Sequence, residues 1–85
     1  MDLLTVHNHL VSLLLVYRDM IDKVSISTYT TGVVVSAWMN DKNLTSGYSW
    51  INFWEYDDEV FLNTKFETVM KYLKKEISSF PSNHQ

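Results

Sequence analysis

Ten acidic residues and three histidines are the side chains with which this chain could do chemistry, and the densest group is Glu55, Asp57, Asp58 and Glu59. Carboxylates this close together suggest either a cation site or a general acid–base pair. A calcium loop needs oxygen ligands spread over about a dozen residues, with a central glycine and a closing glutamate. A catalytic base needs a reacting group held beside it. Neither pattern surrounds these four residues, so the cluster reads as a solvated turn whose charge can meet a basic partner. His7 and His9 sit two positions apart, and on a helix such residues point away from each other. They cannot share a metal there. His84 is isolated near the last residue.

Phosphate loops, nucleophile elbows and dinucleotide fingerprints are all built on glycine. The chain has two glycines, Gly32 and Gly47, in 85 residues, and no cysteine. The first fact leaves no such loop, and the second excludes disulfides and thiolate metal sites. No motif implies a cofactor or a metal, and the chain reads as non-enzymatic.

The informative chemistry is aromatic. From Tyr48 to Tyr56 the chain runs Tyr-Ser-Trp-Ile-Asn-Phe-Trp-Glu-Tyr. In a strand, alternate side chains face opposite ways. Tyr48, Trp50, Asn52, Trp54 and Tyr56 then share one face, and Ile51 and Phe53 share the other.

The elements that position these residues follow from spacing. Leu3, Val6, Leu10, Leu13, Tyr17, Met20 and Val24 recur at threes and fours, which predicts a helix from Met1 to Lys23. Val24 to Thr30 alternates and is rich in β-branched residues, as a strand is. Thr31-Gly32 is the expected turn. Strands are expected over Val33 to Asn40 and Tyr48 to Tyr56, with a polar loop between them over Asp41 to Gly47. Glu59 to Leu62 is the candidate for a short fourth strand. Thr64 and Glu67 match a capping box that would open a last helix, with Lys65, Lys71, Lys74 and Lys75 on its solvent side. Pro81 would lie beyond its end, leaving 81–85 as a disordered tail.

The expected fold is therefore α+β: a helix, a three- or four-stranded antiparallel sheet, and a helix, in one domain over residues 1–80. The economical arrangement puts both helices on one sheet face. Val24, Ile26, Val33, Val35, Ala37, Met39, Ile51 and Phe53 would meet the helices. Ser25, Ser27, Tyr29, Val34, Ser36, Trp38, Tyr48, Trp50, Asn52, Trp54 and Tyr56 would form the second face. Two other arrangements use the same faces: the rings as core with the aliphatic face outward, or one helix on each side.

Composition bounds the functional classes. A hydrophobic fraction of 46% suits a packed chain. The formal charge of −3 gives no general attraction to nucleic acid or to anionic membrane. The longest nearly apolar run, Leu10 to Tyr17, falls far short of the roughly 20 residues of a membrane helix. The early sequence lacks the cationic start of a secretory signal, so the expected location is the cytoplasm. In that setting the Asn43-Leu44-Thr45 acceptor pattern stays unmodified. Rings on an open sheet can stack bases, but that design wants cations beside them. No lysine or arginine occurs between Asn43 and Thr64.

The leading expectation is a small protein-binding module, homodimeric, that docks through Tyr29, Trp38, Tyr48, Trp50, Asn52, Trp54 and Tyr56. Glu55, Asp57, Asp58 and Glu59 offer electrostatic contacts to the partner. An alternative is an inhibitor encoded by a phage or mobile element that occludes a larger host enzyme, such as a defence nuclease. A small nucleic-acid-binding or regulatory domain is the third.

Overall fold

The apolar rows of the sequence settle into five elements. A computed structural model of the chain describes residues 1–41, 45, 47–78 and 80. In order they are α1 (Leu3–Val16), β1 (Ile21–Tyr29), β2 (Gly32–Asn40), β3 (Tyr48–Trp54) and α2 (Glu59–Leu73). The expectations for Asn43, for His84 and for the 81–85 tail fall outside the described residues.

The three strands form an antiparallel meander in the order β1-β2-β3. Val35 pairs with Ile26 and Phe53, and Ala37 with Val24 and Ile51. These residues share the face on which the helices pack, although Ile26, expected to meet them, is 52% exposed and lies outside the packed cluster. One buried cluster joins Val6 and Leu10 of α1, Ile21, Val35, Ala37, Met39, Ile51 and Phe53 of the sheet, and Leu62, Val69, Tyr72 and Leu73 of α2. Both helices thus pack on the aliphatic face. Full burial of a side chain such as Leu10 or Phe53 contributes roughly 1.5–3 kcal/mol.

Four boundaries differ from the expected ones. The first helix stops at Val16, not Lys23. Its cap, Tyr17, donates its N–H to Leu13, and the N–H groups of Met20 and Ile21 both return to the Tyr17 carbonyl. Ile21 is then free to pair with Met39 and become fully buried. That tertiary gain outweighs continued helical spacing.

The hairpin turn is Thr30-Thr31, since Tyr29 and Gly32 are partners. Gly32 has φ +143, and a Cβ there would stand 2.7 Å from Glu55 Oε1, so the position requires glycine. β3 ends at Trp54, two residues short of Tyr56.

The fourth strand expected over Glu59 to Leu62 does not exist, because those residues are the first turn of α2. Asp58 is the N-cap, its carboxylate accepting the Phe61 N–H at 2.8 Å. Thr64 lies inside the helix, bonded back to the Val60 carbonyl. Aspartate caps at least as well as threonine, and starting at Glu59 buries Leu62.

The far end of α2 closes as a Schellman turn. Glu76 N–H reaches the Lys71 carbonyl and Lys75 N–H the Tyr72 carbonyl, with Lys75 at φ 62 where glycine is usual. From there the chain returns to place Phe80 edge-on to Tyr72. Phe80 N–H donates to Asp41, and the Tyr72 hydroxyl donates to the Asn40 carbonyl at 2.6 Å.

Burial, followed by the charge of Asp41, holds the Tyr72 pKa above its ordinary 10.0. A raised folded pKa means this contribution is complete below the unfolded value and lost as pH rises through the folded one. Stability measured by urea titration is expected to fall above about pH 10. Tyr72→Phe is expected to flatten that alkaline fall and to lower stability at neutral pH by about 1 kcal/mol through loss of the bond to Asn40.

Candidate functional site

β2 and β3 carry the aromatic face through their register. Trp38 stands opposite Trp50, Val34 opposite Trp54, Ser36 opposite Asn52, and Asn40 opposite Tyr48. Directly opposed side chains are the contact unit of a sheet, and here they gather the rings into two groups. In the first, Trp38 and Trp50 stack at 5.2 Å between centroids, and Tyr48 meets Trp38 edge-on at 5.4 Å. In the second, Trp54 stacks on Tyr56 at 5.3 Å and leans on Tyr29 at 6.0 Å. Between the groups, Ser36 Oγ donates to Asn52 Oδ1 at 2.7 Å.

All seven expected interface residues therefore share one face, and no helix of the described chain packs on it. Tyr29, Tyr48 and Tyr56 are exposed, and the three tryptophans are half-buried, mostly by one another. The rings shield Val34 and Ser36 beneath them, both of which are buried. Trp38 Nε1 is covered and has no hydrogen-bond partner. The surface thus offers ring faces and edges, two serine hydroxyls, a central amide, and phenol groups at either end.

One cation joins this face that the amino-acid order does not announce. Lys23 was expected to be helical, yet its ammonium lies 4.7 Å above the centroid of Trp38. The cause is an irregularity in β1. Ile21 pairs with Met39 and Lys23 with Trp38, so Asp22 is an extra residue. Such a bulge lets Ile21 enter the core while Lys23, two positions later, turns to the opposite face. Only the alternation of small polar residues after Lys23 hints at this.

The acidic group has structural employment. Glu55 Oε1 accepts the Val33 N–H at 2.7 Å, Asp58 caps α2, and Glu59 lies 3.1 Å from the amino group of Met1. Asp57 is paired with Lys65 at 2.8 Å, their side chains 6% and 4% exposed. Lys65 is therefore buried, contrary to the solvent-facing position expected for it, whereas Lys71, Lys74 and Lys75 are exposed.

The reason is the edge of the sheet. Glu55 N–H bonds across to Val33, so the Trp54 N–H and the Asn52 carbonyl point away from β2. Asp57 accepts the Trp54 N–H at 2.9 Å, and Lys65 donates to the Asn52 carbonyl at 2.7 Å. The pair satisfies two groups that an edge strand would leave open. The Phe61 ring lies 4.1 Å from the ammonium.

No group of histidines and carboxylates among the described residues could hold a metal ion. No helix among them is long and apolar enough to cross a membrane. Neither a family model, nor a curated protein, nor a solved structure matches this chain.

Removing one member of a buried ion pair strands the other charge. Lys65→Ala is expected to destabilise the chain by about 3 kcal/mol, read from the urea midpoint, and neutralising both partners as Lys65→Met with Asp57→Asn is expected to recover part of that loss.

Proposed function

We propose that this protein is a non-enzymatic binding module that docks another protein on the aromatic face of its sheet. The observation that supports this reading is the gathering of six tryptophan and tyrosine rings into two adjoining groups on a face that neither helix covers. Tryptophan and tyrosine dominate binding hot spots because each combines a large rigid apolar body with a polar tip. Asn52 and the serines of β1 keep the same face wettable, as a surface that meets water and partner in turn must be.

Base stacking fits less well. A platform for single-stranded nucleic acid tracks the backbone with a line of cations, and Lys23 is the one cation the described chain places over these rings. Its ammonium favours a partner with a carboxylate near Trp38 instead.

The test uses the whole chain immobilised as bait in extract of its own host, beside Trp50→Ala with Trp54→Ala. The wild type is expected to retain a partner protein that the double variant loses by at least tenfold, while the double variant keeps the helix and sheet signals of circular dichroism. Equal retention by the double variant would overturn the reading. So would saturable binding of a labelled single-stranded oligonucleotide to the wild type at physiological salt.

A further inference from the structure

We infer that the outward side of α1 is a self-association surface, on which a second copy of this chain packs its own α1 antiparallel across a two-fold axis. α1 carries two apolar rows. Leu3, Val6, Leu10 and Leu13 face the core. Leu4, Val11 and Leu15 form a second row, with Asn8 in line at spacings of four, three and four, on the opposite side of the helix. Leu4 is 68% and Leu15 62% exposed. A single outward leucine is ordinary, but a row at this spacing is the seam by which one helix packs on another.

The seam fits a second copy better than it fits any other occupant. Its spacing reads the same in both directions. In an antiparallel pair Leu4 meets Leu15 of the other copy, and Asn8 meets Val11. The two Asn8 side chains then lie about 4.5 Å apart along the helix axis, close to the two-fold. An amide is both donor and acceptor, so it can pair with its own image. A lone polar residue in such a seam selects register.

The opposed helix dipoles of an antiparallel pair attract. Beside the seam, Leu3, Leu4, Ile26, Val33, Val35 and Glu55 are among the residues that line an open groove of about 290 Å³, into which the incoming Leu15 projects.

A lipid surface is a poorer match, because α1 contains no lysine or arginine to meet headgroups. The surface lies on the far side of the core from the aromatic face, so a dimer formed here leaves two such faces free.

One helix pair and a shallow groove bury less than the roughly 800 Å² per partner of a standard interface, so the association is weak. Sedimentation equilibrium of the whole chain up to about 1 mM, which detects millimolar affinity, is expected to show the mass rising towards that of a dimer. Leu4→Glu and Leu15→Glu, both at exposed positions that leave the core intact, are each expected to remain monomeric. Trp50→Ala with Trp54→Ala is expected to dimerise as the wild type does, which separates failure here from failure of the binding face.

The chain has no cysteine of its own, so orientation can be read by cross-linking. Leu4→Cys mixed with Leu15→Cys is expected to give the mixed disulfide at least tenfold faster than either variant gives its own. A wild type that stays monomeric throughout would overturn the proposal. So would dimerisation that survives both glutamate variants, like-with-like disulfides at the faster rate, or co-sedimentation of the monomer with phosphatidylcholine vesicles.

Discussion

The register between β2 and β3 is the constraint on which this molecule depends. A sheet residue has only two directions available, so a slip of one position would send Phe53 and Ile51 outward and turn Trp50 and Trp54 into the core. The hairpin does not fix the pairing by a tight turn, because a long connection separates β2 from β3. The Asp41 N–H closes the near end on the Gly47 carbonyl at 2.9 Å, and side chains fix the far end. Glu55 bonds Val33 through both its backbone N–H and its carboxylate, and Asp57 and Lys65 clasp the outer edge of β3 at Trp54 and Asn52. Gly32 leaves the space that the Glu55 carboxylate occupies. A buried ion pair is weak evidence for stability in itself. Here it closes a sheet edge and carries the pull of α2 to the strand that holds two of the three tryptophans.

From that register the distribution of layers follows. An 85-residue chain has surface enough to cover one face of a three-stranded sheet with two helices. α2 starts beside the end of β3 and is tied back by Lys65, so it lies on the side of Phe53 and Ile51. α1 joins it there through Val6 and Leu10. Among the described residues, no backbone element shields the other face. Its rings shield each other by stacking, which is why Val34 and Ser36 are buried under a layer made wholly of side chains.

The two-faced sheet was legible in the sequence because β3 and the second half of β2, from Ser36, alternate residue types with period two, and pleating converts such alternation directly into faces. Local order could not say where the regular elements stop. Tyr17, Met20 and Val24 keep helical spacing, and what ends α1 is the pairing of Ile21 with Met39, a contact between positions far apart in the chain. Two capping signals compete before α2, and Asp58 prevails over Thr64 because the earlier start buries Leu62. Lys65 was the most misleading residue, since its burial depends on a carboxylate from the turn and a carbonyl from β3. The seven candidate interface residues were readable as a set. Their division into two stacked groups was not, because Trp38 and Trp50 meet only through cross-strand register. Lys23 reached the same face through a bulge that no single-residue preference predicts.

The molecule thus carries exposed apolar material of two unlike kinds, in places that folding does not require. The outward row of α1 is aliphatic, narrow and directional, with a polar residue near its middle. The sheet face is broad, aromatic and interrupted by hydroxyls. Aliphatic side chains on a helix offer shape complementarity to another helix but few hydrogen bonds. Tyrosine and tryptophan on a sheet offer large area, little entropy to lose on binding and polar tips that tolerate an imperfect fit. The first suits a fixed self-complementary contact, and the second a partner of different shape. Because core, helices and sheet lie between them, occupying one does not obstruct the other. Pairing through α1 would therefore present two aromatic faces from one particle, and a partner with two or more matching sites would be held far more tightly by the pair than by a single copy.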